Sequence, residues 1–477
     1  MSSFSADWSR RKFLRGALAT GALVLPGTGA LAACATSGGG QDQTTRGEKT
    51  DKNPLGVPTD QSLEIYIFNG GFGDDYAKKV HEPMYKKAYP NAEIKHKAEV
   101  DIKGALQSRF VAGNPPDFVN DSGDGQIPLG QLVTDKQLFD LTELFDAPAW
   151  DTPGKKVRDT LVPGAVEAGT FGPKPYVMNM ALTVYGTWYN KVLFDQKGWA
   201  LPTTWDEMKT LCAEIKGAGI APWTYQGIHA RYMLWPLMAM AAKLAGPEVL
   251  VDIDNLKEGA WKHDAIKQSA TALAGLKSSG WILDGTEGMD HIQSQGQWVA
   301  GKAAFIPCGS WLENEEKDVT PKTGFEFAMM PDPLLSKDSK MPLETIYAAA
   351  GEPYIVPAKA KNPYGGLEYM RIMLSKEGAK GFTKEVSSLT VVQGAADGVE
   401  LPSGLTSAKK ALDAAGDNVV SWMWPSWYGT MWNPGINAVI GDLMAGRKTV
   451  DEFCDGCEAE AKKVRDDDSI TKYTREK

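Results

Sequence analysis

From Leu63 the chain reads Leu-Glu-Ile-Tyr-Ile-Phe, alternating at first and apolar at its close, which predicts a buried strand. Asn69-Gly-Gly-Phe-Gly73 turns the chain, and Asp74 and Asp75 can cap a helix running through Tyr76, Val80, Met84, Tyr85 and Ala88 to a stop at Pro90. Ala92–His96 reads as a second strand, residues 102–112 as a helix, Gly113-Asn-Pro-Pro-Asp117 as a breaker and Phe118–Asn120 as a third strand. Beyond Tyr176 the alternation resumes with a strand over Val184–Tyr189 and helices near 205–217, 232–244, 261–280 and 291–300. Strands follow at Ala303–Ile306 and Phe325–Met329, then helices near 363–375, 376–386 and 434–445. Strand–helix alternation of this kind predicts an α/β chain with a largely parallel sheet covered on both faces. Ligands of such sheets gather at the carboxyl ends of strands, here 69–73 and 120–125.

The first 60 residues follow none of these periods. Ser9-Arg-Arg-Lys-Phe-Leu14 has the twin-arginine export pattern, the apolar stretch Gly16–Leu25 is too short to span a bilayer, and Leu31-Ala-Ala-Cys34 resembles a bacterial lipobox. Residues 1–33 are therefore expected to be a signal peptide, Cys34 the lipidated N-terminus and residues 34–60 a Gly/Ser/Thr/Gln-rich leash. Two or more acyl chains hold a protein stably to a membrane, so the lipid anchor alone suffices for attachment. The expected location is the extracytoplasmic face of a bacterial cell membrane, reached by the twin-arginine route.

Length and charge narrow the function. A chain of 477 residues forms two to four domains or two large lobes. Its formal charge of -9, with 51 Lys+Arg against 60 Asp+Glu, excludes nucleic acid as the main partner. Gly71-Phe72-Gly73 falls between a strand and a helix, but Tyr76 stands where a dinucleotide fingerprint needs its third glycine, and Asp74 and Asp75 repel phosphate. With Cys34 acylated, four cysteines remain and three pairings are open. Cys454-Asp-Gly-Cys457 supplies half a zinc site, so no metal and no cofactor are expected, and the pair reads as a local disulfide or two helix-surface thiols. Five histidines lack ligand spacing, and neither H-E-x-x-H nor G-x-S-x-G occurs.

Several segments, in order along the chain, resemble the solute-binding proteins of carbohydrate ABC importers. They are Leu63–Gly73, Gly113–Asp117, Gly172-Pro-Lys-Pro-Tyr176, Trp188-Tyr-Asn-Lys-Val-Leu-Phe194, Pro202-Thr-Thr-Trp205, and Gly301-Lys-Ala-Ala-Phe305 with Gly309-Ser-Trp311. Asn69–Tyr76, Gly154–Thr160 and Trp422-Met-Trp424 are most similar to members that bind N-acetylglucosamine and N,N'-diacetylchitobiose. The resemblance implies a two-lobed periplasmic-binding-protein-like fold of the maltose-binding type, closing over sugar like a flytrap. Residues 61–180 and 328–388 would form one lobe, and 181–327 with 389–477 the other. It also implies a monomer that delivers sugar to membrane permease subunits served by a separate ATPase. Another oligosaccharide in the same role (cellobiose, maltodextrin or xylo-oligosaccharide) stays open, as does a lipid-anchored glycan hydrolase. Paired carboxylates are too common among 60 acids to decide the latter.

A pyranose offers apolar C–H faces and a ring of hydroxyls, so its site needs aromatic planes and paired polar side chains. The resemblance carries Trp311 onto a stacking platform, and the density of Ser421-Trp-Met-Trp-Pro-Ser-Trp427 adds Trp424 and Trp427. Polar candidates from strand-end loops are Asn69, Asp121, Ser122 and Asp124, then Asn179, Gln226, Arg231, Glu313, Asn314 and Glu352. Phe72 and Tyr76 are expected to frame the acetamide of an N-acetyl sugar. Trp205, Trp261 and Trp281 are assigned to packing.

Overall fold

The computed structural model describes residues 46–476 apart from Thr59 and Asp124. The twin-arginine motif, Cys34 and Asp124 lie outside the described residues. Ten strands form one mixed sheet: β1 (Leu63–Phe68), β2 (Ile94–Glu99), β3 (Phe118–Asn120), β6 (Met178–Asn190), β7 (Ala221–Trp223), β8 (Ala303–Gly309), β9 (Phe327–Met330), β10 (Ile346–Ile355), β11 (Leu389–Thr390) and β12 (Val419–Val420). A two-residue ribbon, β4 (Thr170–Phe171) and β5 (Lys174–Pro175), stands apart. The order is β2-β1-β3-β10-β6-β8-β7, with β9 and β11 on β6 and β12 on β10. Pairs β1–β2, β1–β3, β7–β8 and β10–β12 are parallel, while every pair made by β6 is antiparallel. The sheet is thus mixed about its centre, where a largely parallel one was expected.

The centre is two long strands. Strand β6 has 13 residues, and its first half pairs with β10 and β11 while its second half pairs with β8 and β9. One continuous backbone therefore joins two sheet segments. Sequence patterning finds only the second half of β6 and misses β10, whose Ala-Ala-Ala-Gly-Glu-Pro stretch carries few strand-favouring side chains. Glu352 sits at φ 56° between the paired residues Gly351↔Ala181 and Pro353↔Asn179, so the ladder steps over it.

Buried side chains fall into three clusters. One gathers Leu63, Ile65, Phe118, Tyr354, Tyr369 and Phe382 around the first sheet segment. A second joins Trp188, Trp298, Ile306 and Phe327. The third, the largest, runs from Trp223 and Trp235 through Trp261 to Trp422–Tyr428 and the helix Val450–Asp466. Local chemistry sets the boundaries: Asp101 accepts from Gly104 N at 2.8 Å to start helix Ile102–Ala112, and Gly113, at φ 74°, ends it in the left-handed region. Among the described residues no helix is long and apolar enough to cross a membrane.

Cys212, Cys308, Cys454 and Cys457 are all free and buried. This corrects the expectation of a local disulfide or surface thiols: Cys454 and Cys457 lie on the inner face of helix Val450–Asp466, and burial pushes the Cys454 thiol up to about 11. Tyr76 is also corrected. It is fully buried, receives a hydrogen bond from Tyr354 Oη at 2.8 Å and packs edge-on to Phe382, so it frames no ligand.

Candidate functional site

A cavity of about 750 Å³ lies over the middle of β6 and β10, within the size range of small-molecule sites and larger than the second cavity described below. Its floor is Asn179, Leu182 and Tyr185 with Tyr347–Gly351, and its walls come from Pro128–Gln131, Val162–Ala165, Gly416 and Asp417, Ser421–Met423, Pro425–Thr430 with Trp432, and Ser469–Thr471 with Tyr473. Eight aromatic side chains reach it: Tyr185, Trp235, Tyr347, Trp422, Trp427, Tyr428, Trp432 and Tyr473. The rings lock one another. Trp422 stacks on Tyr347 at 3.6 Å and 7°, Tyr347 on Tyr185 at 4.5 Å, and Tyr185 meets Trp235 at 4.5 Å. Asp417 is the single formally charged side chain in the lining. Aromatic planes with neutral amides and hydroxyls suit an uncharged, hydroxyl-rich ring compound and give an anion no cation to pair with.

A buried carboxylate positions the tryptophan segment. Asp254 is fully buried, and its Oδ1 accepts from Met423 N at 2.7 Å and Trp424 N at 2.9 Å, while Oδ2 accepts from Arg475 Nη1 at 2.7 Å. Burial raises the Asp254 pKa, and the Arg475 guanidinium opposes that rise. With its path fixed, the segment offers Trp422, Trp427 and Trp432 to the cavity and turns Trp424 away. Trp424 is fully buried and supports Trp432 edge-on at 5.2 Å. The Arg231 guanidinium lies 5.7 Å from the Trp432 ring centre.

The smaller cavity, about 660 Å³, lies between Asn69–Asp75 and the Asn314–Lys317 turn, with His291, Ile292 and Glu385. Its lining holds Asp74, Asp75, Glu315, Lys317 and Glu385, where the larger cavity has Asp417 alone. Asn314 Nδ2 donates to Gly71 O at 2.6 Å, tying the turn to the glycine loop. A side chain on Gly71 would approach Glu315 Oε1 to 3.0 Å, so glycine lets the two loops meet. Burial pushes the Glu315 carboxyl up to about 7.

The structure therefore distributes the sequence candidates. Asn179 and Trp427 line the larger cavity; Asn69, Phe72 and Asn314 line the smaller. Arg231 braces Trp432, and Trp311 meets Tyr185 and Trp235 edge-on at 5.5 and 5.6 Å without lining either cavity. Asp121, Ser122 and Glu352 line neither cavity: Asp121 Oδ1 accepts from Ile127 N at 2.8 Å, Asn120 Nδ2 donates to Ser122 Oγ at 3.2 Å, and Asn120 and Ser122 both hydrogen-bond the Glu352 carboxyl, which burial pushes up to about 7. Three candidates have other work. Gln226 is fully buried with its amide donating to Pro307 O at 2.9 Å, and Trp424 packs on Trp261 as well as Trp432. Glu313 caps helix Ser403–Ala415, accepting from Ser403 Oγ at 2.9 Å and Gly404 N at 2.8 Å. Tyr185, Trp235, Tyr347, Trp432 and Tyr473 were not singled out by sequence; their signal is tertiary, because isolated aromatics on a strand or helix read as core.

Residues 69–380 match the family described as bacterial extracellular solute-binding protein. The diacetylchitobiose binding protein NgcE of Streptomyces coelicolor is 36% identical over 470 residues, covering 97% of each chain. A multiple sugar-binding protein of Streptococcus mutans is 22% identical over 57% of this chain and 63% of its own. Among solved structures, a chitin oligosaccharide binding protein superposes with TM-score 0.66 at 18% identity, over 84% of this chain and 98% of that one. RafE in complex with raffinose gives 0.63 at 18% identity, over 84% and 99%. The architecture is the two-lobed α/β fold of maltose-type sugar-binding proteins. On the strength of the 69–380 match and the near full-length relative, the chain belongs to the bacterial extracellular solute-binding proteins.

Proposed function

We propose that the chain is the binding component of a carbohydrate ABC importer, capturing N,N'-diacetylchitobiose or N-acetylglucosamine in the larger cavity and passing it to membrane permease subunits. The observation that carries this reading is a 750 Å³ aromatic cavity with one charge, in a chain 36% identical to a diacetylchitobiose binding protein along its whole length. Ala348–Gly351 and Leu182 would receive an acetamide, its methyl against the alanines and its N–H and C=O on polar groups of the lining.

Residues 61–180 and 328–388 would move as one lobe and 181–327 with 389–477 as the other, β6 and β10 being crossing segments. Sugar touching both lobes would shift an open–closed equilibrium toward the closed form. The Asn314–Gly71 hydrogen bond joins residues of opposite lobes and would be made on closure. Cys34 would carry the lipid after twin-arginine export, which labelled palmitate tests: incorporation should vanish in Cys34→Ala.

The chain acts as a binder without turnover. Incubation with diacetylchitobiose should return the intact sugar, bound and then released. Appearance of N-acetylglucosamine in proportion to protein would replace the importer reading with a lipid-anchored hydrolase.

A further inference from the structure

The segment Asp467–Glu476, after the last helix, borders the larger cavity with Ser469–Thr471 and Tyr473. Its attachments are lopsided. On the side of the tryptophan segment it is fastened repeatedly: Arg475 Nη1 donates to Asp254 Oδ2 at 2.7 Å and Ser421 O at 2.9 Å. Asn255 exchanges two hydrogen bonds with the Arg475 backbone at 2.8 and 2.9 Å, and Tyr473 N donates to Tyr428 Oη at 2.9 Å. Toward the opposite wall it makes one long hydroxyl contact, Thr471 to Thr134 at 3.4 Å, and an edge-on ring contact, Tyr473 to Phe171 at 5.3 Å. The same two walls meet at Gly130, where an added Cβ would fall 2.8 Å from Trp427 O.

We propose that this segment is a fixed strap that shuts one end of the sugar cleft and limits the length of the oligosaccharide that fits, resting on the oligosaccharide reading above. Several charge-assisted and backbone hydrogen bonds hold it to one wall, so a ligand end cannot push it aside without breaking them. Its contact with the other wall is light enough to form and part as the cleft closes and opens. Ile470 and Thr471 line the cavity and take no part in the hydrogen bonds that hold the strap to the tryptophan side. Tyr473 is itself buried, so its ring closes the cavity behind Ile470 and Thr471.

The test compares affinities for N,N'-diacetylchitobiose and triacetylchitotriose by calorimetry. The parent chain is set against a chain ending at Asp468 and against the double variant Ile470→Gly/Thr471→Gly, which keeps every fastening of Tyr473 and Arg475. The trimer-to-dimer affinity ratio should rise about tenfold or more in both variants, as expected when a steric barrier to the longer ligand is removed. Lys472→Ala, on the same segment but exposed, outside the cavity lining and hydrogen-bonded through its ammonium to Asp467 O alone, should leave the ratio unchanged. A ratio within twofold of the parent in the double variant, or a parallel loss for both sugars, overturns the strap. A parent chain that binds neither sugar defeats the substrate reading alone, and the same ratio is then read with xylobiose and xylotriose.

Discussion

Trp432 and Trp424 stand eight residues apart, 5.2 Å between ring centres, and the structure gives them opposite tasks. Trp432 is half-buried and faces the cavity, with Trp424 behind it and Arg231 beside it; Trp424 is fully buried. Replacing Trp432 by Ala removes one stacking plane. A pyranose face laid on that ring would take about 80 Å² of apolar surface out of water, worth about 2 kcal/mol at 25 cal/mol per Å². That is roughly a 30-fold rise in Kd. Stability should fall by only about 0.5–1.5 kcal/mol, the value of the lost edge-on pair. Trp424→Ala instead opens a cavity in the core and should cost about 3–5 kcal/mol of stability. Urea denaturation and sugar calorimetry on both variants separate the two tasks. The reasoning is refuted if Trp432→Ala binds sugar within twofold of the parent, or if Trp424→Ala loses affinity at unaltered stability.

Three further perturbations address the surroundings. Glu313→Ala strips the cap from helix Ser403–Ala415 and should lower stability by about 1–2 kcal/mol with sugar affinity within twofold; a thermal melt with calorimetry checks this, and a selective loss of affinity would make Glu313 a sugar ligand after all. Asp121 is fully buried, and burial pushes its carboxyl up to about 7 against one hydrogen bond from Ile127 N. The folded carboxyl therefore keeps a proton that the unfolded one releases above about pH 4, and stability falls as pH climbs from about 4 to about 7. Asp121→Asn removes that slope, so its stability advantage over the parent should widen between pH 5 and pH 8; a gap constant with pH would contradict the assignment. Asn314→Ala deletes the Gly71 hydrogen bond, worth about 0.5–1.5 kcal/mol, and should weaken sugar binding roughly two- to tenfold if that bond forms on closure. Unchanged affinity would mean that it contributes nothing to the closed form.

What the sequence discloses is the local part of the architecture. Strand Leu63–Phe68 and helix Ile102–Ala112 carry their signals in alternation, the Asp101 cap and the Gly113 stop, and the structure has them where those signals lie. Strand β10 is invisible for a physical reason: a strand enclosed between two neighbours needs no alternation, and its small residues leave room for a cavity. The tryptophan-rich segment announces itself by composition. Which rings face the cavity depends on Asp254, 170 residues earlier than Trp424 and in another helix, and no periodicity conveys that. Glu313 looks like a sugar ligand because it follows Trp311, yet its carboxylate turns to the open N-terminus of a helix 90 residues downstream. Tyr473, close to the end of the described chain, has no local pattern at all and reaches the cavity by tertiary fastening alone.

The central claim is that the larger cavity holds an N-acetylated sugar. Calorimetry, with intrinsic tryptophan fluorescence, on the chain lacking residues 1–34 tests it against N-acetylglucosamine, N,N'-diacetylchitobiose, cellobiose, maltose and xylobiose. The account predicts one-to-one binding restricted to the N-acetylated sugars, with a fluorescence change that Trp432→Ala diminishes. Binding confined to cellobiose, maltose or xylobiose would contradict the acetamide assignment, and no binding across the panel would contradict the claim itself.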